Sequence, residues 1–117
     1  MWRRRPLEVT LLAAAKARLD ELDFYPEPVS LRRVRVLHTP WLFRVPGFRH
    51  FRGYEAGPLI LLTMPLERAP QALITHELCH VWQHQHRPVR MWLSYCNGSY
   101  RDNPYEIEAR YAAGQQR

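Results

Sequence analysis

The chain has 117 residues, 46% of them hydrophobic, and a formal net charge of +6, which suits one domain with a single modest core and leaves no room for two. Four tryptophans and six tyrosines set it apart from disordered sequences, and no stretch approaches the ~18 to 20 apolar residues of a membrane span. The charge comes from arginine, with one lysine; Arg32, Arg33 and Arg35, then Arg44, Arg49 and Arg52, fall in strand-like stretches and read as solvated sheet faces, so nucleic acid is only a weakly supported partner.

The segment Met1 to Pro6 is basic like the start of a signal peptide. Leu7 to Ala15, however, is interrupted by Glu8 and Thr10 and runs into Lys16, Arg18 and Asp20, so an amphipathic helix is expected rather than an export signal. A cytoplasmic location follows, with Cys79 and Cys96 as free thiols. The helix spans Leu7 to Leu22, with Leu7, Leu11, Ala14, Ala15, Arg18, Leu19 and Leu22 along one side, and Pro26 and Pro28 prevent its continuation. Alternation from Val34 to His38 predicts a strand. A second covers Arg49 to Glu55, between Pro46-Gly47 and Gly57-Pro58, and a third is the apolar run Leu59 to Met64, stopped by Pro65.

A second helix opens at Ala69-Pro70, with Pro70 at its first position, and Pro88 closes it. Ile74, Leu78, Val81, Trp82 and Gln85 share one side of it, and Leu73, His76, Glu77, His80 and His84 the other: an apolar back with a histidine face over a cleft. Met91 to Tyr100 is dense in aromatics and ends at the turn signal Asn97-Gly98. A last helix starts with Asn103 as N-cap and Pro104 at its first position, and runs to about Ala113 before Gly114. The whole chain, 1–117, is expected to be a single α+β domain with a small three-stranded sheet.

His76-Glu77-Leu78-Cys79-His80 is an H-E-x-x-H motif. On a helix the two histidines lie on one face one turn apart, so both imidazoles reach one ion. Glu77 is turned ~100° from His76, a poor place for a ligand but a good one for a base acting on water at an open zinc position. Such a site needs a third protein ligand. Candidates downstream are His84, His86, Asp102, Glu106 and Glu108, of which His84 is carried ~12 Å from His76 along a straight helix. Glu106 and Glu108 flank the inward side of the last helix almost equally. The competing role for Glu106 is a capping box with Asn103, and for Glu108 an exposed helix charge.

The segments Thr75 to Gln83 and Tyr100 to Ala109 resemble the minigluzincins, small gluzincin metalloproteases. The resemblance is close over roughly the last fifty residues and extends to the front half only in layout. It implies a minimal zincin-like fold with an active-site helix and a glutamate helix, and zinc held by His76, His80 and a glutamate followed three residues on by a small residue. Glu106 with Ala109 fits that pattern; Glu108 with Tyr111 does not. Arg110 stands where such proteins often carry an acidic or amide residue supporting the first histidine, so Asp102 or Asn103 would have to supply that support.

The activity implied is zinc-dependent endoproteolysis of peptides or unstructured proteins with Glu77 as general base. Gly57 to Met64 would form the cleft rim and align substrate by strand addition, and Tyr95, Tyr100, His84 or His86 would stabilise the oxyanion. Two rivals remain. One is a zinc-stabilised binding or regulatory module without turnover. The other is a DNA-associated protease of the SprT-like kind, which takes a third histidine where this chain has none after His86. Nothing in the sequence speaks to oligomeric state.

Overall fold

A computed structural model describes residues 4–49, 51–96, 98 and 100–115; the expectations for Met1 to Arg3 and for Asn97 in the Asn97-Gly98 turn lie outside them. The first helix, α1, is Pro6–Asp20, begun by a proline where a missing N–H costs nothing. Its buried face is Glu8, Leu12, Ala15 and Leu19, rotated from the expected one so that Ala14 is exposed and Leu12 buried. Glu8 accounts for the rotation. Its carboxylate, 4% exposed, accepts the Val36 backbone N–H at 2.8 Å, on the outer edge of the first strand.

That strand, β1, is Arg35–His38, followed by β2, Gly53–Ala56, and β3, Leu59–Leu62. The order in the sheet is β1-β3-β2, with β1 parallel and β2 antiparallel to β3. Gly57 turns the β2-β3 hairpin at φ +63°, a left-handed conformation that glycine adopts without Cβ strain. The second strand is shorter than expected because the chain before it is wound in turns, with the Phe48 ring packed 5.0 Å from Tyr54 and 6.4 Å from Phe51. Since β3 is paired on both sides, the segment Gly57 to Met64 does not present the free rim. The open edge beside the cleft belongs to β2.

The helix α2, Gln71–His86, starts one residue later than expected, with Pro70 as its N-cap. It is buried nearly all round, from Leu73 through Gln83 apart from His76, so the expected split into an apolar back and a polar front does not hold. Gln85, assigned to the apolar side, is exposed and exchanges hydrogen bonds with the Ser30 backbone. Helix α1, the sheet and the last helix all pack on α2, and this surrounds its polar residues with protein. Trp82 is 1% exposed, and its indole N–H donates to the Glu27 carbonyl at 2.8 Å.

Pro88 does two jobs. It stops α2 and opens a further helix, α3, Pro88–Ser94, which the aromatic run concealed. The last helix, α4, is Pro104–Ala112, and the Asn103 side chain caps it by accepting from the Tyr105 N–H at 2.8 Å. Ala109 and Ala112 are fully buried, and their size lets α4 lie close on α2. At the other end the Arg18 guanidinium of α1 donates to the Ala112 carbonyl at 2.9 Å, satisfying an orphan acceptor at the negative pole of the helix. No helix among the described residues is long and apolar enough to cross a membrane.

Replacing Glu8 by alanine strips the Val36 N–H of its acceptor in a buried place. We expect a loss of ~1 to 3 kcal/mol in unfolding free energy, measured by urea denaturation, with Glu8→Gln retaining most of the stability. A change in Glu8→Ala below about 0.5 kcal/mol, the scatter of ordinary surface substitutions, would contradict this role.

Candidate metal centre

His76 and His80 project from α2 with ring centroids 4.9 Å apart, as helical spacing requires. Glu106 meets them from the first turn of α4. Its Oε1 lies 3.2 Å from His76 Nε2 and its Oε2 2.9 Å from His80 Nε2, and one ligand atom from each residue falls within 4.8 Å of the others. Donors around a tetrahedral ion with bonds of ~2.0 to 2.1 Å stand ~3.3 Å apart, close to these separations. All three side chains are deeply sunk, at 12, 6 and 3% exposure. The donor set is two imidazoles and a carboxylate, and it could hold a metal ion.

Protonation is legible from the amides behind the ligands. Gln83 Nε2 donates to the Tyr105 carbonyl at 2.8 Å and to Glu108 Oε1 at 3.0 Å; both partners only accept, so Gln83 must turn Oε1 toward His80. It does so at 2.7 Å from Nδ1. Nδ1 therefore carries the hydrogen, and in the neutral ring Nε2 keeps its lone pair for the cluster. That buried Nε2 meets no hydrogen-bond geometry among the described residues and faces Glu106 Oε2 in an ion-pair contact at 2.9 Å, a place where a cation can stand in for the proton. Gln115 Oε1 sits 2.8 Å from His76 Nδ1 and orients that ring in the same way.

Electrostatics favour positive charge at this point. Burial works against ionisation of Glu106, but His76, His80 and Tyr95 outweigh it and hold its carboxyl well below the usual carboxylate range. Burial likewise opposes charge on His80, yet Glu106 and Glu77 more than offset it and raise the imidazole to about 9. Groups that stabilise a proton this strongly also suit a cation.

No protein-family model, curated protein or solved structure matches this chain. What the fold itself does is separate the remaining candidates. Glu108, the alternative third ligand, accepts from the Tyr25 hydroxyl at 2.9 Å and from Gln83, so it stands behind Gln83, which stands behind His80. Asp102 is exposed and Asn103 caps α4 while donating to Ser94 Oγ at 3.0 Å; neither supports His76. Gln115 does that from beyond the end of α4. Glu106 has turned away from any capping box, since its carboxylate is spent on the two histidines and on the Tyr95 hydroxyl, which donates to Oε2 at 2.6 Å.

The cluster opens on a cleft of about 560 Å³. Glu77, His84, Tyr95 and Tyr100 line it, whereas His86 does not: its ring stacks on Tyr25 at 5.2 Å and its Nε2 donates to the Glu27 carbonyl at 3.2 Å. Glu77 stands beside the ligands and outside their set. Burial raises its pKa, with His80 and His76 opposing and Glu106 adding to the rise. Gly53 makes room for it. A Cβ at that position would meet Glu77 Cγ and Leu73 Cδ1 at 3.3 Å and Glu77 Oε2 at 3.4 Å, so the Glu77 or Leu73 side chain would have to give by a few tenths of an ångström. Nothing in the sequence sets Gly53 apart within the expected Arg49 to Glu55 strand; only the packing of β2 on α2 shows what its missing side chain leaves room for.

Competition of the protein with a chromophoric chelator for zinc separates the two glutamates. Glu106→Ala should lose stoichiometric binding, and Glu108→Ala should weaken it ~10- to 100-fold, the usual cost of losing an outer partner of a ligand. Stoichiometric zinc in Glu106→Ala together with its loss in Glu108→Ala would reverse the assignment.

Proposed function

We propose that the protein is a zinc-dependent peptidase with a minimal zincin-like fold, similar to the minigluzincins, in which His76, His80 and Glu106 hold the ion and Glu77 is the general base. The observation that carries this reading is the convergence of His76, His80 and Glu106 on one buried point beside an open cleft, with Glu77 alongside. Two imidazoles and one carboxylate are a donor set that zinc accepts in hydrolytic sites while keeping one position open. Bound there, zinc supplies Lewis acidity: it polarises a carbonyl and lowers the pKa of a water to ~7.

Glu77, beside the ligands, would serve as general base toward an attacking water and as general acid toward the leaving amine. His84 lines the cleft and can donate to the developing oxyanion; Tyr95 and Tyr100 line it too, and both hydroxyls engage Glu106, which suits them to fixing that ligand. The exposed edge of β2 offers backbone groups to an extended peptide, which makes flexible segments the natural substrates. A carboxylate rather than a histidine in the third position argues against the SprT-like alternative.

Glu77→Gln should bind zinc with little change and lose hydrolysis of an unstructured protein such as casein by ~10²-fold or more. Gly53→Ala should keep zinc while kcat falls on the order of tenfold through displacement of Glu77. Undiminished cleavage by Glu77→Gln would overturn the mechanism, and a wild-type protein that binds zinc but cleaves nothing would point to the binding module instead.

A further inference from the structure

One cleft residue has no role in hydrolysis as derived above. Glu55, on the cleft-facing edge strand β2, has a side chain only 9% exposed. Its carboxylate accepts from the Gly57 backbone N–H, but the buried Oε2 has no hydrogen-bond partner among the described residues. The nearest cation-capable group is His84 Nδ1 at 3.6 Å, beyond hydrogen-bond reach. His84 is itself half-exposed, at 47%, and sits on the rim like a loose cover. Burial pushes this carboxyl up to about 7, with the His80 charge opposing the rise only in part, so the desolvated oxygen is costly to keep charged without a closer partner. Such a cost is tolerable where a ligand supplies the missing partner.

We propose that Glu55 is a specificity-determining residue that receives a cationic group of the substrate, an ammonium or a guanidinium, when a peptide lies along β2 and the His84 ring moves off Oε2. This rests on the peptidase reading for what binds, though not for the chemistry of the subsite. Two points favour a cation over an apolar or anionic group. The cleft wall here already carries Glu55 and Glu77 with Glu106 behind them, a concentration of carboxylates. Among the described residues no arginine or lysine pairs with Glu55, in a chain with arginines to spare.

The shared chemistry has two sources, a free α-ammonium at the peptide terminus or a lysine or arginine side chain, and one experiment separates them. Peptides labelled at the carboxyl end are compared in pairs, free against acetylated at the amino terminus, and lysine or arginine against norleucine at each internal position. Binding to zinc-loaded Glu77→Gln protein is read by fluorescence anisotropy, so no turnover is needed. One pair should differ about tenfold in Kd, agmatine should compete, and adding Glu55→Gln should shrink the difference to within about twofold.

Equal affinities within every pair overturn the proposal, as does a difference that persists in Glu55→Gln. If that variant does not fold, agmatine competition on the parent protein decides: failure to displace the cationic peptide overturns the inference. Cation-selective binding by a wild-type protein that cleaves no peptide upholds the subsite and rejects the peptidase; cleavage without cation preference does the reverse.

Discussion

A carboxylate buried between two imidazoles organises this molecule. Glu106 enters the interior from the first turn of α4, and a desolvated charge of that kind is tolerated only with partners held in place around it. Those partners come from elsewhere in the chain. The histidines lie on α2, Tyr95 follows α3, and the amides that orient the imidazoles are Gln83 on α2 and Gln115 past the end of α4. Helix α4 is in turn clamped by the Asn103 cap, by Ala109 and Ala112 against α2, and by Arg18 on its terminal carbonyls. Much of what would pass for ordinary helix packing thus serves to keep one carboxylate within reach of two nitrogens.

Polar groups reach deep into the centre for the same reason. The chain from Tyr25 through Glu108 and Gln83 to His80 crosses a region that small domains usually fill with aliphatic side chains. Each link is satisfied; the buried side-chain atoms without hydrogen-bond geometry among the described residues are His80 Nε2 and Glu55 Oε2 in the cleft and Thr39 Oγ1 outside it. Unsatisfied buried atoms are rare in folded proteins and tend to mark places where something else binds. A bound cation at the first would stabilise the folded chain, since the unfolded chain cannot assemble the three ligands.

The parts of this account legible in the sequence are those fixed by local geometry. The H-E-x-x-H spacing brings two histidines together on any helix, and the Asn103-Pro104 start and the Gly57-Pro58 turn carry their own local chemistry. What escaped sequence reading depends on contacts far along the chain. Glu8 interrupts an apolar run in the sequence, and periodicity cannot show that the Val36 N–H waits for it across 28 residues. Helix α2 looked two-faced because its polar residues are covered by α1, α4 and β2, not by water. Gln83 and Gln115 are unremarkable amides until the histidines are seen in front of them, and α3 was hidden behind a proline that both ends one helix and starts another. The choice of Glu106 over Glu108 was near even from helical angles alone, and it is the Tyr25 and Gln83 contacts of Glu108 that separate them.

The central claim is that His76, His80 and Glu106 form a zinc site, and elemental analysis tests it most directly. Purified wild-type protein, dialysed at neutral pH against buffer without chelator and then analysed by plasma mass spectrometry, should carry about one zinc per chain. Protein that is folded by circular dichroism yet metal-free, and that takes up no zinc when it is added, would contradict the account.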